Sequence, residues 1–166
     1  MRYHFKIANN SCLEISYGDQ VISSFTWKWR SLEPVQIPTN SPEDTLSIRC
    51  NGQGHYWIYR NGVEAGKIEY DWSSKTTIHL TDDNGVPFTL LFHEKGFNPR
   101  YEVYVNKDSH LLTIHRAFLQ WDESYHEITI YNETLCTFPM DGLIGLLIYC
   151  KYSFPYNLDP CWVRLS

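Results

Sequence analysis

The sequence FPMDGLIGLLIYCKYSF, at residues 138–154, differs from the chain before it. Residues 142–150 carry no charged side chain, and apolar residues follow one another there without alternation. A helix that is apolar on every side has to be buried on every side. The segment therefore predicts one element that the rest of the fold encloses.

The ends of this segment carry the signals of a short helix. Asp141 is a good N-cap residue, and Pro155 is a residue at which a helix commonly stops. We predict an apolar helix over residues 141–153, roughly 20 Å long. Periodicity alone does not separate a short buried helix from a buried strand, so a central strand at 143–150 remains the alternative.

The chain before this segment is typical of short antiparallel strands. Apolar and polar residues alternate in many stretches, most strongly in residues 21–30. Hairpin-type turn signals separate several stretches, at Asn61-Gly62, 82–85 and 106–109. We predict a mainly β fold, an antiparallel β-barrel of about 10–12 strands that encloses the hydrophobic C-terminal helix.

The length of 166 residues predicts a single domain over residues 1–166. Residues 31–45 interrupt the strand pattern with Pro34, Pro38 and Pro42. The 30 residues before this stretch are too few to form a core of their own, so a domain boundary is not expected there. We predict a proline-rich surface loop at 31–45.

The composition limits the classes of partner. A net charge of −5 does not suit binding to nucleic acid or to an anionic membrane surface. The apolar segment of about 9–14 residues is shorter than the roughly 20 that a membrane span needs, so no integral membrane segment is expected. The first seven residues do not resemble a secretory signal.

The cysteines favour a cytoplasmic protein with reduced thiols. Their number is odd, their spacing is wide and no CxxC pair occurs. The five lie at Cys12, Cys50, Cys136, Cys150 and Cys161. Disulfides are rare in the cytosol, so the pattern predicts free thiols and a cytoplasmic location.

No set of residues predicts a reaction or a cofactor. The strand histidines that a fold could bring together are His79, His93, His115 and His126. They lack the short spacing of most metal ligands, so we expect no metal and no cofactor. The chain has no nucleophile elbow and no phosphate-binding loop. We therefore expect a protein that is not an enzyme.

The Trp27-Lys28-Trp29-Arg30 stretch is the most conspicuous candidate for a partner-binding site. On a strand, the two tryptophans face one way and the two cations the other. In a purely structural interpretation the tryptophans belong to the core and the cations are solvated. In a functional interpretation the strand presents an anchor for an acidic partner or a phosphate, because Trp and Arg are frequent binding hot spots.

Four stretches carry a resemblance to a known family: KIEY at 67–70, PFTLLF at 87–92, YEVYV at 101–105 and DGLIGLLI at 141–148. In order and polarity they resemble the tubby-like domains, which include the LURP-one-related proteins and the phospholipid scramblases. The resemblance covers residues 46–154. It implies a roughly twelve-stranded barrel closed around a hydrophobic C-terminal helix.

What the resemblance implies for function is a binding module without a catalytic set. Tubby-like proteins bind phosphoinositide head groups through a basic patch, and no matching cluster of Lys and Arg is present here. Scramblases depend on a longer apolar helix than residues 141–153 provide. Neither lipid chemistry can therefore be assigned to named residues of this chain.

These observations lead to a functional hypothesis with two alternatives. We expect a non-enzymatic binding module that recognises a protein partner, such as an inhibitor or an immunity-type protein whose acidic face covers a basic enzyme. The first alternative is a module that binds a phospholipid head group or a membrane surface. The second alternative is an enzyme with a cleft at one end of the barrel.

Overall fold

The structure is a computed structural model of the chain. It describes residues 2–8, 12–26, 34–37, 39, 41–50, 56–70, 76–95, 100–116, 125–135 and 138–153. A short 3₁₀ helix at Glu133–Leu135 precedes the α-helix α1, Met140–Ser153. The strands are β1 Arg2–Ala8, β2 Cys12–Tyr17, β3 Gln20–Thr26, β4 Val35–Ile37, β5 Leu46–Cys50, β6 Tyr56–Arg60, β7 Val63–Tyr70, β8 Thr76–Thr81, β9 Pro87–Lys95, β10 Arg100–Val105, β11 Ser109–Arg116 and β12 Tyr125–Ile130.

The twelve strands form one antiparallel sheet. Its order is β3-β2-β1-β12-β11-β10-β9-β8-β7-β6-β5-β4. Almost all neighbours in the sheet are neighbours in the chain, and the exception is the pairing of β1 with β12. The prediction of a mainly β, antiparallel fold with one C-terminal helix is therefore confirmed. The order places β3 and β4, which follow one another in the chain, at the two ends of the sheet.

The helix α1 lies in the core. All of residues 141–150 are buried, which confirms the predicted enclosed helix and makes the alternative of a central strand wrong. The helix begins at Met140, and the carbonyl of Pro139 accepts a hydrogen bond of 2.9 Å from the amide of Leu143. Asp141 thus lies in the first turn rather than at the N-cap. No helix within the described residues is long and apolar enough to cross a bilayer.

Side chains from the strands and the helix form one apolar cluster. Ile15, Ile58, Ile78 and Leu90 are fully buried on the inner face of the sheet, as is Leu147 on the helix. Successive side chains of a strand point to opposite faces of the sheet. Where these apolar residues point inward, the polar residues between them therefore lie on the outer face. The sheet therefore has one apolar face toward α1 and one polar face.

The start of the helix packs closely against the chain between β4 and β5. A Cβ atom added at Gly142 would lie 2.9 Å from Cγ2 of Thr39, which is closer than such contacts occur. The hydroxyl of Thr39 is itself held by the backbone carbonyls of Ser41 and Asp44. Glycine at position 142 thus allows the helix to approach a connection that has little freedom to move away.

Two predicted segments differ from the observed ones. The strand expected at 21–30 is described only to Thr26, because Trp27-Lys28-Trp29-Arg30 lies outside the described residues. The loop expected at 31–45 contains the strand β4, in which Ile37 is buried. Its Val-Gln-Ile pattern alternates, and an edge strand tolerates proline nearby.

We predict that Leu147→Ala lowers the free energy of unfolding by about 2–5 kcal/mol, because it leaves a cavity beside a fully buried helix. Val63→Ala serves as the control, since Val63 is exposed. It is expected to change the free energy by less than about 0.5 kcal/mol. Urea unfolding followed by circular dichroism measures both. Equal midpoints for Leu147→Ala and the parent protein would contradict the enclosed helix.

Candidate functional site

The antiparallel order brings half of the connections together at one end of the sheet. Each strand runs opposite to its neighbours, so successive connections lie alternately at the two ends. One end therefore carries the connections β2–β3, β4–β5, β6–β7, β8–β9, β10–β11 and β12–α1. Their described residues are 18–19, 39, 41–45, 61–62, 82–86, 106–108, 131–135 and 138–139.

These connections are strongly acidic. Their described residues include seven acidic side chains, and Lys107 is the one basic side chain among them. We call the seven the acidic rim: Asp19, Glu43, Asp44, Asp82, Asp83, Asp108 and Glu133. The chain as a whole carries a net charge of −5. Among the described connections at this end, acidic side chains therefore outnumber basic ones by seven to one.

Arg60, at the end of β6, joins three of the connections of the rim. Its guanidinium forms two hydrogen bonds with the carboxylate of Asp44, of 2.8 and 3.0 Å, and a third with Asp83. Its Cζ atom lies 5.0 Å from the centre of the Phe138 ring, just before α1. The hydrogen bonds that it donates to Asp44 raise the pKa of Arg60 further. The arginine therefore links three of the six connections at this end of the sheet.

Other polar groups of the rim shape its turns. The carboxylate of Asp82 accepts hydrogen bonds from the amides of Asn84 and Val86, of 2.9 and 2.8 Å. Asp and Asn favour turns because their short side chains bond to nearby backbone amides. Part of the acidic character of the rim therefore comes from turn chemistry.

Four carboxylates of the rim have no such structural role. They are exposed, and within the described residues none of them makes a hydrogen bond or an ion pair. The four are Asp19, Glu43, Asp108 and Glu133. Several basic side chains, by contrast, are paired: Arg2 with Glu127, Lys67 with Glu69 and Arg100 with Glu102. The four free carboxylates are therefore available to a partner.

A groove of about 380 Å³ opens beside the rim, between β7 and the β8–β9 hairpin. The pairing of β7 with β8 begins at Gly66, so the first residues of β7 diverge from β8. A side chain at Gly66 would overlap the carbonyl oxygen of His79. The groove is lined by Trp57, Glu64, Gly66, Lys67, His79, Leu80, Thr81, Pro87, Phe88, Thr89 and Asn106.

The charges along one wall of this groove compensate one another. Glu69 forms an ion pair with Lys67 and a hydrogen bond of 2.9 Å with Nε2 of His79. These two hydrogen bonds, first that of Lys67 and then that of His79, lower the pKa of Glu69. Glu64 is exposed and has no such partner within the described residues.

A second cleft, of about 420 Å³, lies where the two end strands of the sheet approach one another. Ser24 and Thr26 of β3 line it together with Gln36 and Ile37 of β4. The remaining lining residues, between Thr39 and Thr45, belong to the β4–β5 connection. No described residue of β3 pairs with β4, so this cleft lies between the two end strands of the sheet.

A row of rings in contact, one pair of them edge-on, one stacked and one tilted, runs from β9 across β10 and β11 to the end of β12. His93, Tyr104, His110 and Tyr131 have centroids 4.4–5.4 Å apart along the row. The hydroxyl of Tyr104 donates a 2.8 Å hydrogen bond to Glu102, which raises the pKa of Tyr104. The rings contact one another on this face, and His93 and Tyr131 are exposed to solvent.

The four histidines considered as metal ligands do not form one site. His126 faces inward, is buried and stacks on Phe5 with ring centres 4.4 Å apart. His79 lies between the buried residues Ile78 and Leu80, and His115 follows the buried Ile114, so their side chains are on the outer face. His93 is exposed and follows Phe92, which packs against the core. Among the described residues no group of three potential ligands is suitable for a metal ion.

The cysteines differ from the expectation of reduced thiols. Cys50 is disulfide-bonded, so the expectation is wrong at that position. Spacing along the chain could not reveal this, because disulfide partners meet through the fold. Cys150 is free and buried in α1. Burial raises the pKa of its thiol to about 12, although a hydrogen bond with Tyr70 acts in the opposite sense.

The structure does not test the site predicted from sequence, since Trp27, Lys28, Trp29 and Arg30 lie outside the described residues. Sequence reasoning missed the acidic rim. The signal was present, because hairpins in an antiparallel meander place every second turn at the same end. Summing charge over every second predicted turn would have revealed it.

Comparison of the chain with family models, with curated proteins and with solved structures found no match. The resemblance to tubby-like domains is therefore not tested by these comparisons. The site is described by its own geometry, as an acidic rim that Arg60 holds together and that two clefts adjoin.

We predict that Arg60→Ala lowers the free energy of unfolding by about 3–5 kcal/mol, because it leaves the nearly buried carboxylate of Asp44 without its counter-charge. The control is Asp83→Asn, which removes the more exposed partner and is expected to cost less than about 1 kcal/mol. Chemical denaturation measures both. A small effect at Arg60, similar to that of Asp83→Asn, would show that the rim is not held in this way.

We also predict unequal reactivity of two cysteines. In the native protein, Cys150 is expected to resist iodoacetamide at pH 8, because its thiolate is not formed in the core. Cys50 is expected to become alkylated only after reduction and unfolding. Peptide mass spectrometry of samples with and without reductant distinguishes these states. Labelling of Cys50 in unreduced, unfolded protein would show that the disulfide is absent.

Proposed function

We propose that the chain is a non-enzymatic binding module that recognises a basic protein partner through its acidic rim. One observation carries this proposal: the described connections at one end of the sheet hold seven acidic side chains and one basic side chain. Four of the carboxylates make no hydrogen bond or ion pair within the described residues. Such a surface attracts a positively charged partner over distance and orients it on approach.

The placement of α1 supports surface recognition over an enclosed site. The helix occupies the space on the inner face of the sheet, and residues 141–150 are all buried. A barrel that is filled by side chains leaves little room for a ligand. We propose that the sheet closes as a barrel around α1 along the seam between β3 and β4, as the tubby-like resemblance implies. An inhibitor or an immunity-type protein would use such a charged surface.

The alternative of lipid binding has less support. Head-group recognition needs a cluster of free basic side chains, and Arg2, Arg60, Lys67 and Arg100 are each paired with a carboxylate. Arg49 and Lys107 form no ion pair within the described residues, but they lie on β5 and in the β10–β11 turn and form no cluster. The alternative of an enzyme has no observation in its favour. The cytoplasmic location predicted from the cysteines is opposed by the disulfide at Cys50, because disulfides are rare in the cytosol.

The proposal predicts a salt-sensitive association that depends on the rim. Proteins captured by the parent chain are identified by mass spectrometry, and their association rates are measured by biolayer interferometry. The double variant Asp108→Asn/Glu133→Gln is expected to bind a basic partner at least about threefold more slowly at low salt. The difference is expected to shrink near 1 M salt, where the Debye length is only about 3 Å.

The matched control is Glu14→Gln/Glu127→Gln, which removes the same charge from the middle of β2 and β12. It is expected to leave the association rate within about twofold of the parent value, since these positions lie away from the rim. Equal slowing by both double variants would reject recognition by the rim. Flotation with phosphoinositide vesicles tests the lipid alternative. Co-flotation that is lost in Lys28→Glu/Arg30→Glu would favour lipid and contradict the proposal.

A further inference from the structure

The groove between β7 and the β8–β9 hairpin combines two groups that recognise a cationic side chain. Trp57, on β6, offers an aromatic ring, and Glu64, on β7, offers an exposed carboxylate. The register pairs Trp57 with Lys67 and Tyr59 with Glu64, so Trp57 and Glu64 are near neighbours across these two strands. Both line the groove, whose volume of about 380 Å³ lies within the usual range for small ligands, about 300–1,000 Å³.

We propose that this groove receives an arginine side chain of the partner, with its guanidinium against Trp57 and Glu64. This inference rests on the proposed function and specifies how the basic partner is recognised. A guanidinium favours such a site, because it stacks on aromatic rings and bonds to carboxylates through its planar donors. Trp and Arg are also the residues that most often dominate binding energy at interfaces.

The charge balance of the groove favours a cation over an anion. Lys67 and His79 would attract an anion, but both are already bonded to the ionised carboxylate of Glu69. Glu64 has no ion-pair partner within the described residues. Asp82 follows directly after Thr81 at the edge of the groove, whereas the carboxylate of Asp83 is already paired with Arg60. Arg49 lies opposite Trp57 on β5, outside the lining of the groove. The carboxylates of Glu64, Glu69 and Asp82 therefore face two cations, Lys67 and Arg49, which leaves an excess of one negative charge for an occupant to neutralise.

The molecule already contains one arginine bound in this way. The Cζ atom of Arg60 lies 5.0 Å from the centre of the Phe138 ring, and its Nε and Nη2 atoms donate hydrogen bonds to the carboxylate of Asp44. That site joins an aromatic ring to a carboxylate, as Trp57 and Glu64 do. The difference is that the groove is open to solvent and holds no arginine of the described chain.

The experiment titrates the full chain, labelled with ¹⁵N, with Nα-acetyl-arginine amide. The indole N–H signal of Trp57, assigned from its loss in Trp57→Phe, reports on the groove. We expect a saturable shift with a dissociation constant in about the millimolar range, as suits so small a ligand. Nα-acetyl-citrulline amide has the same shape without the charge. It is expected to bind at least about tenfold more weakly, because it lacks the attraction to Glu64.

Two positions provide matched variants. Glu64→Gln is expected to weaken arginine amide binding at least about fivefold. Glu14→Gln removes the same charge from β2, away from both the rim and the groove, and less than about a twofold change is expected. Neither residue is buried, so neither change endangers folding.

Several results would overturn the inference: no shift of the Trp57 signal, equal binding of the citrulline compound, or equal effects of the two variants. Tighter binding of a neutral methyl glycoside would also overturn it and would indicate a sugar site. If arginine amide does not bind in the groove but the association rate of the basic partner still depends on the rim, this inference is wrong and the proposed function stands. If arginine amide binds in the groove but no basic protein associates with the chain, the groove is supported as an arginine site and the proposed function is rejected.

Discussion

The fold depends on one requirement, which is that a helix without a polar face must be covered on every side. The helix α1 has apolar residues around its whole circumference, and its residues 141–150 are buried. A flat sheet covers one side of a helix. Twelve strands that contribute inward-facing side chains to one cluster with the helix can cover all sides. The other properties of the chain, from the polar outer face to the alternating turns, follow from this arrangement.

The same arrangement explains where the charge lies. Because the chain passes up and down through the sheet, every second connection returns to one end, and acidic turn residues accumulate there. Their mutual repulsion is reduced where Arg60 pairs with Asp44 and Asp83. That contact also joins the start of β5, the end of β6 and the β8–β9 hairpin. The charged end is thus part of the architecture and also the surface on which the proposed recognition rests.

The sequence predicted the elements better than the contacts between them. The enclosed helix and most strands could be recognised, because their signals are local: apolar continuity, alternation and turn residues. The short strand β4 was missed, since three residues between prolines give little periodicity. The contact of Arg60 with Asp44 and Asp83 was also missed, because these residues are 16 and 23 positions away. The groove at Gly66 likewise arises from contacts between strands, and the disulfide at Cys50 depends on which thiols the fold brings together.

The pairing of β1 with β12 has a consequence for how the chain acquires its structure during synthesis. The N-terminal strands β1 to β3 can pair among themselves early. The pairing of His4 with Glu127, by contrast, can form only after nearly the whole chain has been synthesised. At about 5–20 residues per second, β12 emerges from the ribosome roughly 6–23 s after β1. The helix that fills the core emerges later still. Until then the growing sheet has an uncovered apolar face, and we expect the nascent chain to need a chaperone for that interval.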